Sequence, residues 1–157
     1  MRWRAETFSF YALLKFIHIA AAIVAVGSNI TYGVWNARLQ GDRSHAGFAL
    51  KGIKFIDDRI ANPAYGMLLL TGVLMLLVGH MPFSFWIIAA LILFAMDVVL
   101  GVAVYTPLLR NQIRLADAGD TSSAEFERLA NRSRMLGPIL GLVVVLILVT
   151  MVFKPTL

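Results

Sequence analysis

Three side chains with ionisable or ligating chemistry sit inside otherwise apolar sequence: Lys15 and His18 in the first hydrophobic block, Asp97 in the third. A central Asp, Lys or Arg costs about 2.5–3.5 kcal/mol on membrane-insertion scales, so such groups face a bundle interior or a water-filled cavity. His18 has three readings: a neutral imidazole bonded to a neighbouring helix, an axial haem ligand, or a proton carrier. Lys15 lies nearer its helix end and either snorkels to the headgroups or points inward. Asp97 is either one half of a structural contact or a functional carboxyl. The first and third helices run in the same direction, which puts Lys15 or His18 on a route to Asp97. At about 100° per residue, Lys15, His18, Ala22, Ala25, Asn29 and Asn36 share one stripe, polar or small throughout. Leu13, Phe16, Ile23 and Ile30 lie opposite. A helix presents such a small-and-polar stripe to other helices or to a ligand. The expectation is therefore a polar interior site made of Lys15, His18, Asn29 and Asp97, with no residue assigned to catalysis.

Several other chemistries are excluded. The chain has no cysteine, so it holds no disulfide, thiolate metal site, Cys-linked haem or cysteine nucleophile. No phosphate-binding glycine loop, nucleophile triad or zinc motif appears, and no metal site is expected. His45 and His80 fall in connections, and Met67, Met75 and Met96 have no spacing that suggests a copper path.

The elements that must position these side chains are membrane helices. Of the 157 residues, 59% are hydrophobic and 15% charged, whereas soluble domains average about 45–50% and about 25%. The apolar residues form blocks long enough to span a bilayer. Spans are expected at about 8–35, 63–78, 83–109 and 138–153, in one domain covering 1–157. The fold class is all-α, an integral membrane four-helix bundle. Tyr11, Tyr32 and Trp35 suit the aromatic belts of the first span. The connections are 36–62 and 110–137. In the first, Phe48, Ile53, Ile56 and Ile60 recur at helical spacing, which predicts either a short amphipathic helix on the membrane surface or a solvated loop helix. Asn62-Pro63 reads as a helix start. Pro107 should kink or end the third helix. Ser122-x-x-Glu125 matches a capping box that restarts a helix near Ser123, and Gly137-Pro138 should interrupt that helix before the fourth span.

The net charge of +5 belongs to the membrane surface rather than to nucleic acid. Arg38, Arg43, Lys51, Lys54 and Arg59 lie in the first connection, and Arg110, Arg114, Arg128, Arg132 and Arg134 in the third. Excess cations mark cytoplasmic loops, so both termini should lie outside a bacterial inner membrane. Arg2 and Arg4 count against this orientation but are outnumbered.

Leu13 to Ile19 (LLKFIHI), Arg132 to Pro138 (RSRMLGP) and Met151 to Pro155 (MVFKP) together resemble a bacterial family of predicted four-helix integral membrane proteins of unknown function. That family is distantly similar to the HemJ-type protoporphyrinogen oxidases and to the copper-resistance D-like membrane domains. HemJ-type proteins also begin with a K-x-x-H helix, here Lys15 to His18, and open the next span with an N-P pair, here Asn62-Pro63. The resemblance implies haem b bound through His18. This chain departs from HemJ-type proteins at Ala25-Val26-Gly27-Ser28-Asn29 and lacks a histidine at that end of the helix.

Two functional expectations follow. One is a haem-b-binding, redox-linked membrane protein with His18 as ligand. The other is a non-catalytic membrane protein acting as a homo-oligomer or as a small subunit of a larger membrane complex. Its surroundings in either case are the lipid bilayer.

Overall fold

The computed structural model describes residues 9–41 and 43–155. Arg2, Arg4 and the start of the first span at Phe8 lie outside the described residues. Four long helical rods run through the rest. The first is α1 (Phe10–Gly41), 32 residues. The second joins α2 (Ala46–Ile56) to α3 (Asn62–Val78), and the third joins α4 (Phe85–Leu100) to α5 (Thr106–Asp117). The fourth is α6 (Ala124–Phe153), 30 residues. All four are long and apolar enough to cross a membrane, and no strand occurs among the described residues. The all-α four-helix architecture expected from the sequence is therefore the one observed.

Rods of 30–33 residues are about 45–50 Å long, whereas the hydrocarbon core of a bilayer is about 30 Å. The excess lies at the end that carries the cation-rich connections. There α2 packs on α5, and α5 on α6. The cluster of Tyr32, Ala46, Leu50, Ile53, Tyr105, Leu109 and Phe126 forms the principal core. Arg43 pairs with Glu127, and Lys51 Nζ lies 2.6 Å from Asp117. The opposite end is closed by the short turn between Val78 and Phe85. Between the two ends the buried positions are mostly small, such as Ala21, Ala25 and Ala90, while Ile23 and Ile92 point outward. Small residues let helix backbones approach where lipid removes the hydrophobic drive between helices. Helix α1 lies against α3 and α6, and α4 against α6, but no Cα of α3 comes within 8 Å of a Cα of α4.

Four local expectations are corrected. The segment around Phe48 is not a separate surface helix. It is the first part of a 33-residue rod, and it buries Ala46, Ala49, Leu50 and Ile53 while Phe48 stays 76% exposed. The expected apolar face is split because α2 packs on protein rather than on headgroups. Asn62-Pro63 does not start a helix: a π-helical turn, Asp57–Ala61, leads straight into α3. Pro107 does not end its helix, because a second π-helical turn, Gly101–Tyr105, precedes it at the same offset. Proline removes an N–H and crowds the preceding turn, and a π turn widens the backbone ring by one residue just where that relief is needed. Gly137-Pro138 lies within an unbroken α6. The cap near residue 123 holds with a one-residue shift. Ser123, not Ser122, is the N-cap, and its Oγ accepts from Phe126 N at 3.1 Å.

Candidate functional site: a polar interior along the first helix

The buried stripe of α1 is Leu14, Ala21, Ala25, Ser28 and Tyr32. The stripe read from sequence lies on its flank, so His18, Asn29 and Asn36 are half-buried and reach sideways to other helices. Lys15 is exposed and does not join the interior.

His18 meets α3. Its Nδ1 lies 2.9 Å from Thr71 Oγ1. Thr71 is buried, and its hydroxyl donates to Met67 O at 2.6 Å. A threonine hydroxyl has one proton. With that proton on Met67 O, Thr71 accepts from Nδ1 of His18, and this tautomer keeps the lone pair on Nε2; the Leu68 carbonyl also lies against the ring. Gly72 makes the approach possible: a Cβ there would lie 3.3 Å from His18 Cε1.

Asn29 meets α3 three turns away. Its Nδ2 donates to Ala25 O at 3.1 Å and to Tyr65 OH at 2.7 Å. With one lone pair of Tyr65 so occupied, its hydroxyl proton is free for Asp97, which lies beside it on α4. The Tyr65 ring packs on Phe94 with centroids 6.0 Å apart at 60°. These contacts bridge the separation between the α3 and α4 backbones. Asn29, Tyr65 and Asp97 thus come together across three helices. His18 and Asp97 do not. Thr71 and Tyr65 are six residues apart on α3, about 9 Å of helix rise, and His18 and Asp97 sit at those two levels.

A third group lies nearer the cation-rich end. Tyr32 and Tyr105 stack with centroids 6.4 Å apart, and Asn36 Nδ2 donates to Tyr105 OH at 3.3 Å. Asp57, in the first π-helical turn, faces Tyr32, with Lys54, Asp58 and Arg110 around it. Tyr105 closes the second π-helical turn. Such turns recur at functional sites because they re-aim side chains out of helical register.

The sequence reading missed Tyr32, Asp57, Tyr65 and Tyr105. Tyr32 read as a belt aromatic and Asp57 as one of a run of surface charges. The available signal was Asn29, Tyr32 and Asn36 at spacings of three and four, which puts them on one face of α1.

Two hollows accompany these groups. A hollow of about 490 Å³ lies between α5 and α6, lined by Val104, Pro107, Leu108, Leu129, Met135 and Ile139 among others, and shares no residue with the polar interior. A smaller one of about 30 Å³ is lined by Asn36, Gln40, Arg43, Gln112 and Arg134 with apolar neighbours. Among the described residues, no three His, Asp or Glu side chains gather as metal ligands would. A family model described as "Predicted integral membrane protein (DUF2269)" matches residues 12–155. No curated protein and no solved structure matches the chain.

Proposed function

The chain belongs to this family of predicted integral membrane proteins, and on that premise we propose that it binds haem b through His18 in a redox-linked role. One observation carries the reading: Thr71, whose hydroxyl proton bonds Met67 O, and the Leu68 carbonyl hold the His18 ring in place, and the tautomer with Nδ1 protonated keeps the lone pair on Nε2. Haem iron takes a neutral imidazole as axial ligand. A ligating histidine donates its other ring N–H to a fixed acceptor, which sets tautomer and orientation. The Lys15-to-His18 start adds to this through its resemblance to HemJ-type proteins.

The donor set fits a haem with one strong axial ligand. Met75, one turn beyond Thr71 on the same face of α3 and half-buried, would be the candidate for a second, weaker donor within this chain. Lys15 and Met96 are exposed. Bound haem supplies one-electron chemistry that no side chain here provides. The protein would supply the ligand and the contact that sets its tautomer. The same reading places the cation-rich end in the cytoplasm of a bacterial inner membrane.

The test is an absorption spectrum of detergent-purified protein from haem-replete cells, oxidised and reduced. A Soret band lost in His18→Ala and kept in His45→Ala is the expected result. Absence of haem from the wild type, or its full retention by His18→Ala, overturns the proposal. A second reading is then preferred, a non-catalytic oligomer or complex subunit. Phe48 and Phe55 favour it, 76% and 63% exposed and two turns apart on α2.

A further inference from the structure

Among the described residues, three buried side-chain oxygen atoms make no hydrogen bond of good geometry: Tyr32 Oη, Asp57 Oδ2 and Asp97 Oδ1, although Tyr32 and Asp57 lie close enough to interact with each other. Their residues are 9%, 9% and 5% exposed. Leaving a buried acceptor or donor unsatisfied costs about 1–3 kcal/mol, and more for a charged group. Lipid offers no remedy. Buried polar groups without a protein partner are bonded to internal water instead.

The three atoms are not scattered. Tyr32 faces Asp57, and Tyr65 lies within electrostatic reach of Asp57 on one side and Asp97 on the other. Asn29, Tyr32 and Asn36 run beside them on one face of α1. Toward the cation-rich end, Asn36 both bonds Tyr105 and lines the 30 Å³ cavity. That volume exceeds the roughly 10–15 Å³ needed to hold a water, and Gln40, Arg43, Gln112 and Arg134 give it polar walls. In the other direction the buried set turns apolar, with Leu14, Ala21, Ile87 and Ala90. Its buried threonine hydroxyls are already committed, Thr71 to Met67 and His18, and Thr150 to Leu146 O.

We propose that a file of water enters the bundle at its cation-rich end, passes Asn36, Tyr32 and Asp57, and ends at Asp97, whose carboxyl exchanges protons with the solution on that side only. Water completes the bonding of the Tyr32–Asp57 pair and of the Asp97 oxygen that Tyr65 does not reach. Tyr65 is the last relay: it accepts from Asn29 and has its own proton free for Asp97. The file stops one level short of His18, so its existence does not depend on haem.

The absence of native cysteine makes accessibility directly measurable. Single Tyr32→Cys, Asn29→Cys and Asp97→Cys variants are treated in membranes with a small charged methanethiosulfonate reagent, which reacts only with a hydrated, ionised thiol. Ile92→Cys, on the outward face, is the reference. The expected result is modification at 32, 29 and 97 at least ten-fold faster than at 92, and only with reagent on the face bearing the cation-rich end. Rates no faster than at 92, or modification of position 97 from the opposite face, overturn the proposal. A second measurement needs no substitution. Radiolysis of the wild-type protein in detergent generates hydroxyl radicals from bound water. Oxidation of Tyr32 and Tyr65 is expected despite their burial, and their protection to the level of Leu14 overturns the proposal.

Discussion

The hydroxyl of Thr71 accepts the Nδ1 proton of His18 at 2.9 Å because its own proton is spent on Met67 O. This contact joins two helices and sets the chemistry of the free imidazole nitrogen. Thr71→Val keeps the shape and removes the acceptor. Loss of such a ligand-orienting partner weakens binding by about 10–100-fold. Haem titration into Thr71→Val, followed by the Soret band, should show that loss. Affinity equal to wild type would separate Thr71 from any ligand role of His18.

Gly72 tests the same packing from beneath. A Cβ would stand 3.3 Å from His18 Cε1, so Gly72→Ala asks the ring to give by a few tenths of an ångström. Gly72→Val adds two methyl groups at the same place, and overpacking costs about 1–3 kcal/mol. Thermal unfolding in detergent should rank wild type, Gly72→Ala and Gly72→Val in that order of stability. A Gly72→Val variant as stable as wild type would contradict the close approach of α1 and α3.

Asn29 and Tyr65 should be energetically coupled. Interhelical hydrogen bonds in membranes average about 0.6 kcal/mol and reach about 1.7 kcal/mol. A double-mutant cycle of Asn29→Ala and Tyr65→Phe should return a coupling in that range. Strict additivity of the two substitutions would mean that the 2.7 Å contact contributes nothing.

At the cation-rich end, the cap should matter more than the ion pairs. Ser123→Ala removes the acceptor for Phe126 N and should cost about 1 kcal/mol. Lys51 and Asp117 are each about half exposed, and exposed pairs are worth about 0–1 kcal/mol. Lys51→Ala should therefore cost less than Ser123→Ala, and the difference should persist in high salt. The reverse order would point to a tighter pair than its exposure implies.

Membrane orientation is checked with single cysteines at Gln40 and Asp117. Both should resist an impermeant thiol reagent in intact cells and react once the membrane is opened, since the cations around them mark a cytoplasmic side. Reaction of a cysteine at 117 in intact cells reverses the topology. The Lys51–Asp117 contact already requires the first and third connections to share one side.

The number of helices and their membrane character were legible in the sequence because block length and apolarity are local properties, and a bilayer imposes a length on them. The side on which the charges gather was legible for the same reason. Where the rods begin and end was not. Asn62-Pro63, Pro107 and Gly137-Pro138 all read as breaks from local rules, yet the rods continue through them. Two π-helical turns accommodate the first two prolines, and packing between helices outweighs their local cost.

The interior was half legible. Depth and residue type pointed to His18, Asn29 and Asp97, because polar groups have no partner in hydrocarbon. Which groups meet was decided by the tertiary structure alone. The expected route from Lys15 or His18 to Asp97 gave way to His18 with Thr71, and Asn29 with Tyr65 and Asp97. Direction along a helix says which face a residue occupies. The axial register of one helix against the next, set by contacts such as Gly72 beneath His18, decides what it touches. Tyr32, Asp57 and Tyr105 became a site only when that register set the first π-helical turn beside α1 and let Tyr105, from the second, reach Tyr32 and Asn36.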